Sequence, residues 1–149
     1  MFFRGRSLRN PDPKGRIMLP PEFRELLLRT DAGSGLVLTT YDRCVVGFPL
    51  PQWDEFENKL VMMANPARKV RDFRRHVLGG AEKMSPDPQG RVRLSREHLL
   101  YAGIDKEALV VGVGSKFEIW APERFASIIE QDFDDIAESI GETGINFGF

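Results

Sequence analysis

One cysteine, two histidines and no apolar run near the roughly 18 residues of a membrane helix set the first limits on this 149-residue chain. Cys44 has no partner for an internal disulfide, and neither a C-x-x-C pair nor metal-ligand spacing occurs. Disulfide scaffolds and zinc modules are therefore excluded, and a reducing compartment is expected, with Cys44 read as a small strand residue. His76 and His98 lie far apart with no cysteine or carboxylate at ligand spacing, so both read as structural. The G-x-S-x-G, P-loop and H-E-x-x-H patterns are absent, which removes the commonest signatures of hydrolases, nucleotide-binding enzymes and metalloproteases. No signal-like segment opens the sequence, so a cytoplasmic protein without membrane span, metal or cofactor is expected.

What the chain does contain is globular in balance, with 42% hydrophobic and 29% charged residues, enough for one or two small domains. Its net charge of −1 conceals an asymmetry. Residues 1–99 hold 18 Lys and Arg against 12 Asp and Glu, whereas residues 100–149 hold 3 against 10. The front of the chain suits an anionic partner. The acidic end is either a second functional face or a solvated helix.

The dominant feature is a repeat. Asp12-Pro13-Lys14-Gly15-Arg16-Ile17-Met18-Leu19 returns 75 residues later as Asp87-Pro88-Gln89-Gly90-Arg91-Val92-Arg93-Leu94. In each copy Asp, Pro and Gly occupy the first, second and fourth places of a type I turn. The Asp side chain can accept bonds from the backbone ahead, and the glycine can take the left-handed position that closes a longer hairpin loop. Alternating apolar residues then start a strand. Glu22 and Glu97, and Leu26 and Tyr101, keep the same offset, while Phe48 and Trp120, and Trp53 and Phe125, are 72 apart. The change of offset falls in the loop around Gly33 and Gly35.

Between the landmarks, Phe2 to Arg9 is short and mixed, with Arg4 and Arg6 on one side if extended. A helix is expected from Pro20 to Leu28, ended at Asp31 to Gly35, then a hairpin of Leu36–Thr40 and Cys44–Phe48. Helices follow over Pro51–Met63 and after Asn65-Pro66, with Asn65 as cap and Pro66 at the first helical position. The second of these carries Arg68, Lys69, Arg71, Arg74 and Arg75, a pattern read as a solvated face or subunit contact more readily than a DNA contact. The second copy brings a helix capped by Ser95, strands near Ala108–Val113 and Lys116–Trp120, and a final helix from Pro122. That helix is expected to bury Phe125, Ile128, Ile129, Phe133, Ile136 and Ile140, leaving Gly141 to Phe149 frayed or bound to a neighbour. The fold class is thus α+β, in two pseudo-symmetric halves, 1–78 and 79–149, too thin to stand alone and so sharing one core.

The doubled Asp-x-x-x-Arg turn, with Asn65-Pro66, Leu78-Gly79, Ala102-Gly103, Val111-Gly112 and Lys116-Phe117-Glu118-Ile119-Trp120 in this order, resembles the MraZ family of bacterial transcriptional regulators over nearly the whole chain. The resemblance implies tandem AbrB-like (SpoVT-AbrB) swapped-hairpin modules. It also implies ring-shaped homo-oligomers, often octamers, on double-stranded promoter direct repeats upstream of the division and cell-wall gene cluster, the chain's own promoter included. A nucleoid-associated repressor is the expectation.

Carried across by position, Arg16 is the expected DNA-contacting arginine, with Lys14 beside it and Arg91 as its second-motif equivalent. Arg4, Arg6 and Arg9 extend the positive surface. The alternative for Arg16 is a purely structural pairing with Asp12, and for Arg91 the two readings stand level, because Gln89 replaces the lysine and the strand before it lacks arginines. Asp12, Gly15, Asp87 and Gly90 are assigned to holding the turns. Two other function classes remain in view: a ring scaffold for protein partners, and, less favoured, a hydrolase built on an Asp12–Asp87 carboxylate dyad.

Overall fold

A computed structural model describes residues 2–29, 35–64 and 66–146. In chain order its elements are β1 (Arg6–Arg9), β2 (Arg16–Met18), α1 (Pro21–Leu28), β3 (Leu36–Tyr41), β4 (Cys44–Pro49), α2 (Leu50–Val61), α3 (Arg68–Val77), β5 (Glu82–Met84), β6 (Arg91–Arg93), α4 (Arg96–Ala102), β7 (Ala108–Gly112), β8 (Phe117–Trp120), α5 (Pro122–Ile129) and α6 (Ile136–Gly141). The class is α+β, as expected, and the halves interleave. One sheet runs β1-β7-β8-β4-β3-β5 and a separate ribbon pairs β2 with β6, every pairing antiparallel. Each half lends its first strand to the other half's hairpin: β1 joins β7, and β5 joins β3. An internal pseudo-twofold passes between β2 and β6 and between β4 and β8.

The repeated turns therefore do not close local hairpins. Asp12 N–H does donate to the Arg16 carbonyl at 3.0 Å, and Asp87 N–H to that of Arg91 at 2.8 Å. Beyond that closure the two strands part, because β1 and β2 find their ladders in the opposite half.

The central strands alternate with period two, yet both of their faces are covered. Leu36, Leu38, Val45, Ala108, Val110, Phe117 and Ile119 face the ribbon and its helices, meeting Ile17, Leu19, Phe23, Val92 and Leu94. Phe3, Phe23 and Phe117 close this core with centroids 5.1 to 5.7 Å apart. On the other face, Cys44, Val46, Val111 and Trp120 meet Phe125 and Ile128, and Val37 meets Trp53 and Val77. The 72-residue pairing reappears in three dimensions: Phe48 packs on Trp53 at 5.4 Å and Trp120 on Phe125 at 5.8 Å.

Several expectations need correction. α3 starts at Arg68 with Ala67 as its cap residue, so Pro66 precedes the helix, while Asn65 lies outside the described residues. So do residues 30–34, which include most of the Asp31–Gly35 stop. The last helix is two helices. Among Glu130, Asp132, Asp134 and Asp135, like charges crowd one turn, and the Asp132 carboxylate accepts the Asp134 N–H at 2.8 Å, a local bond that competes with helix continuation. Phe125 and Ile128 pack half-buried, but Ile129 and Phe133 are each 51% exposed, so that stripe is not a buried face of the isolated chain. The Ser95 cap is found as expected, its hydroxyl accepting the His98 N–H at 3.1 Å.

At the centre of the sheet Gly47 pairs with Phe117, and a methyl group there would overlap the Phe117 ring, which Phe3 and Phe23 hold in place. Gly47→Ala is expected to cost about 1–3 kcal/mol through overpacking, lowering the melting midpoint by several degrees in calorimetry; an unchanged midpoint would show that the ring has room to move.

Candidate nucleic-acid interface

Each repeated turn is knotted by its aspartate. Asp12 Oδ1 accepts the N–H groups of Lys14 and Arg16, both at 2.9 Å, while Oδ2 accepts the Arg16 Nε–H. Asp87 repeats the pattern with Gln89 at 3.0 Å, the Arg91 N–H at 2.8 Å and the Arg91 Nε–H at 2.8 Å. Gly15 and Gly90 sit at φ 81° and 84°, and a Cβ at Gly15 would also overlap the Leu94 carbonyl oxygen. Leu94 N–H donates to the Gly15 carbonyl at 2.8 Å and Leu19 N–H to that of Gly90 at 3.0 Å, which locks the turns side by side.

Between the turns lies the ribbon. Its register sets Arg16 opposite Arg93, Ile17 opposite Val92 and Met18 opposite Arg91. Ile17 and Val92 are buried inward, so Arg16, Met18, Arg91 and Arg93 share the outer face. Arg91 Nη1 also approaches Asp12 Oδ2 at 3.9 Å, linking the two turns. The arginine side chains remain 36% exposed at Arg16 and 27% at Arg91. With Nε anchored on a carboxylate, the orientation of each guanidinium is fixed, Arg91 Nη1 turning towards Asp12; planar forks of this kind can pair with carboxylates, phosphates or a guanine edge.

The other assigned residues are spread more widely. Lys14 is exposed at the first turn's tip. Arg6 pairs with Val111, on the face away from the ribbon, and its guanidinium lies 5.5 Å from the Phe125 ring. Gly5, at φ 91°, interrupts the extended run between Arg4 and Arg6, so the shared side expected of them does not arise from simple alternation. Arg9 instead points to the ribbon's side of the sheet, opposite Ala108. With Arg4 it borders a groove of about 280 Å³ beside Pro20 and Pro21. Sequence reasoning missed Arg93, Arg96 and Arg24. The first two were signalled by alternation continued past Arg91 and by the cap at Ser95; Arg24, whose Nη2 donates to the Pro88 carbonyl at 2.9 Å, had no local signal.

Other singled-out residues make bonds within the subunit. Arg74 caps α2 by donating to the carbonyls of Val61 and Met63, Arg71 donates to that of Pro66, and Arg75 pairs with Asp72. His98 is buried with Nε2 2.8 Å from the Gly80 carbonyl, and His76 Nε2 stands 3.3 Å from Thr40 Oγ1. Burial, with Glu118 and Asp42 nearby, pushes the Cys44 thiol well above its ordinary range. Among the described residues no group of three metal-ligating side chains is assembled.

The electrostatics of the turns follow from their bonds. The Arg16 backbone N–H is the main influence holding Asp12's carboxyl below its ordinary 3.8, aided by the Arg16 guanidinium and the Lys14 N–H against an opposing effect of burial. Asp87 is lowered in the same way by Arg91. Both carboxyls shift the same way, unlike a shared-proton dyad, in which one of the two is raised.

The fold and this site define a class: a two-module α+β swapped-hairpin protein whose halves join through a basic ribbon. The chain belongs to the MraZ family, whose model, described as "MraZ protein, putative antitoxin-like", matches residues 2–75 and 77–143. Its similar relatives include the proteins named Transcriptional regulator MraZ from Nitratidesulfovibrio vulgaris strain Hildenborough, 58% identical over 149 residues and all of both chains. Strain Miyazaki F has one 56% identical over 145 residues, 97% of each chain, and Oleidesulfovibrio alaskensis one 49% identical over 147 residues, 99% of each.

Because both aspartate values are depressed, their stabilisation is complete above the ordinary 3.8 and disappears as pH falls through the lower folded values. Replacing both by Asn is expected to flatten the acid-induced loss of stability below pH 3.8 in denaturant titrations. An unaltered acid slope would show that the ionised carboxylates contribute nothing to the turns.

Proposed function

We propose that the chain is a transcriptional regulator that binds double-stranded DNA through the β2–β6 ribbon and its two flanking turns. The observation that carries this reading is the ribbon itself: three arginines on one exposed face, two of them splinted by aspartate, over an apolar underside. A two-stranded ribbon fits the B-DNA major groove, and an Arg fork pairs with guanine O6 and N7. Lys14 adds a point charge for the backbone. Arg91 contributes with Arg16, since the ribbon presents both on its outer face, whereas Arg4 and Arg6 belong to the flanks. The names of the relatives support a regulator, and each repeat serves as one module, divided near residue 78.

The finer reading follows the family resemblance: repression at direct repeats upstream of the division and cell-wall cluster, by a ring of subunits in the nucleoid. One subunit presents few contacts, so several joined copies on successive repeats would gain affinity through effective concentration. Exposed Phe2, Leu8, Ile129 and Phe133 supply apolar surface for contacts between subunits, and the basic front and acidic back suit head-to-tail closure. No described helix is long and apolar enough to cross a membrane.

Arg16→Ala is expected to weaken binding to the chain's own upstream DNA by about 10- to 100-fold, the worth of one bidentate arginine contact, in a gel-shift series on an intact assembly. Unchanged affinity would overturn the site, and wild-type binding insensitive to salt would favour the protein scaffold. Mass measurement of the assembly is expected to give a closed ring of about eight subunits, and a monomer would overturn the ring.

A further inference from the structure

The ribbon's third arginine and its neighbour on α4 have no work inside the subunit. Arg93 and Arg96 are exposed, and neither side chain forms a hydrogen bond or ion pair with a described residue. Both border an open cavity of about 460 Å³ beside the second turn, together with Arg16 and Arg91. The hydroxyl-bearing Ser85 and Ser95 complete its polar wall. Of the carboxylates there, Asp87 is already bonded to Arg91, and Glu82 alone faces the surplus of guanidinium groups.

The duplicated fold does not demand these cations. At the matching places 75 residues earlier stand Met18 and Pro21, and the same architecture forms around them. Conversely, the first turn carries Lys14 where the second carries Gln89. Positive charge thus sits at the tip of the first turn and behind the second. Two free guanidinium groups with flanking hydroxyls form a binding set for a tetrahedral, singly charged phosphodiester oxygen pair.

We propose that Arg93 and Arg96 clamp a backbone phosphate of the DNA duplex beside the groove entered by the β2–β6 ribbon, and so set the orientation of the subunit on it. This rests on the DNA-binding reading above and deepens it. A ribbon with true twofold symmetry would sit equally well either way round on a duplex, which suits a palindrome. Lys14 on one side and the Arg93–Arg96 clamp on the other make the two halves of the interface unequal in charge, so the backbone is gripped at different places by each half. The contact is to backbone and reads no base, so it strengthens binding to any sequence.

The test compares the full-length Arg93→Gln/Arg96→Gln variant with Arg16→Ala on repeat DNA and on unrelated duplex, across a salt series. The double variant is expected to lose affinity for both DNAs by a similar factor and to flatten the log K against log salt slope by about 1 to 2 per subunit. Arg93→Lys/Arg96→Lys is expected to restore most of the slope. If Arg16→Ala weakens binding while the Gln variant keeps wild-type affinity and slope, the clamp is wrong and the DNA reading survives. If the wild type binds neither DNA, both fall. A measurement on unmodified protein guards against a folding defect: phenylglyoxal labelling of arginines, read by mass spectrometry with and without repeat DNA. Protection of Arg93 and Arg96 by DNA supports the clamp, and equal labelling overturns it.

Discussion

The antiparallel pairing of β2 with β6 is the contact on which the rest of the molecule depends. It is only three residues on each side, yet it lies on the internal pseudo-twofold and does two jobs at once. Downward, Ile17 and Val92 enter the main core with Phe23, Val110 and Phe117. Upward, three of the four alternate positions carry arginine and the fourth is Met18. Because side chains on a strand alternate strictly, the burial that stabilises the fold also dictates which residues face out. A slip of one residue would place guanidinium groups in the core, at a desolvation cost no such small protein could absorb.

The swap of first strands gives this short ribbon its rigidity. β1 is held by β7 and β5 by β3, so each turn is suspended between the main sheet and the ribbon. The turns are then pinned locally by aspartate and across the axis by the Leu94 to Gly15 and Leu19 to Gly90 bonds. An arginine on such a support loses little conformational freedom on meeting a ligand, which is where flexible basic residues lose affinity. The bonds between aspartate and arginine thus hold the turn and fix the direction of the guanidinium at once, so a structural role for the pair does not exclude the proposed contact.

Symmetry and its breaking share the work between the two halves. The shared parts, Asp12 with Asp87, Gly15 with Gly90 and Arg16 with Arg91, are those that the backbone requires. Of the differing parts, Lys14 against Gln89, Met18 against Arg93 and Pro21 against Arg96 face solvent, while Phe23 against His98 is buried. The apolar surface left open around Ile129 and Phe133 likewise lies outside the duplicated core.

Much was legible from residues alone, because the signals were local: the type I turns, the left-handed glycines, the Asp–Arg proximity at four residues, the Ser95 cap and the β-rich runs of β3, β4, β7 and β8 are all decided within a few residues of chain. The repeat itself announced two like halves. Strand partners were not legible in this way, since a turn that looks like a hairpin closes identically whether its strands pair with each other or with the opposite half. Only burial of both faces of one continuous sheet selects the swap. The same holds for Arg93 and Arg24, which reach the site through cross-strand register and a contact 64 residues distant, and for the split of the last helix, where local carboxylate repulsion outweighed an apolar spacing with no core to receive it. Sequence thus determined the turns and the chemistry they carry, while tertiary structure decided which strands became neighbours and hence which charges share a face, because that choice depends on hydrophobic area buried between segments far apart in the chain.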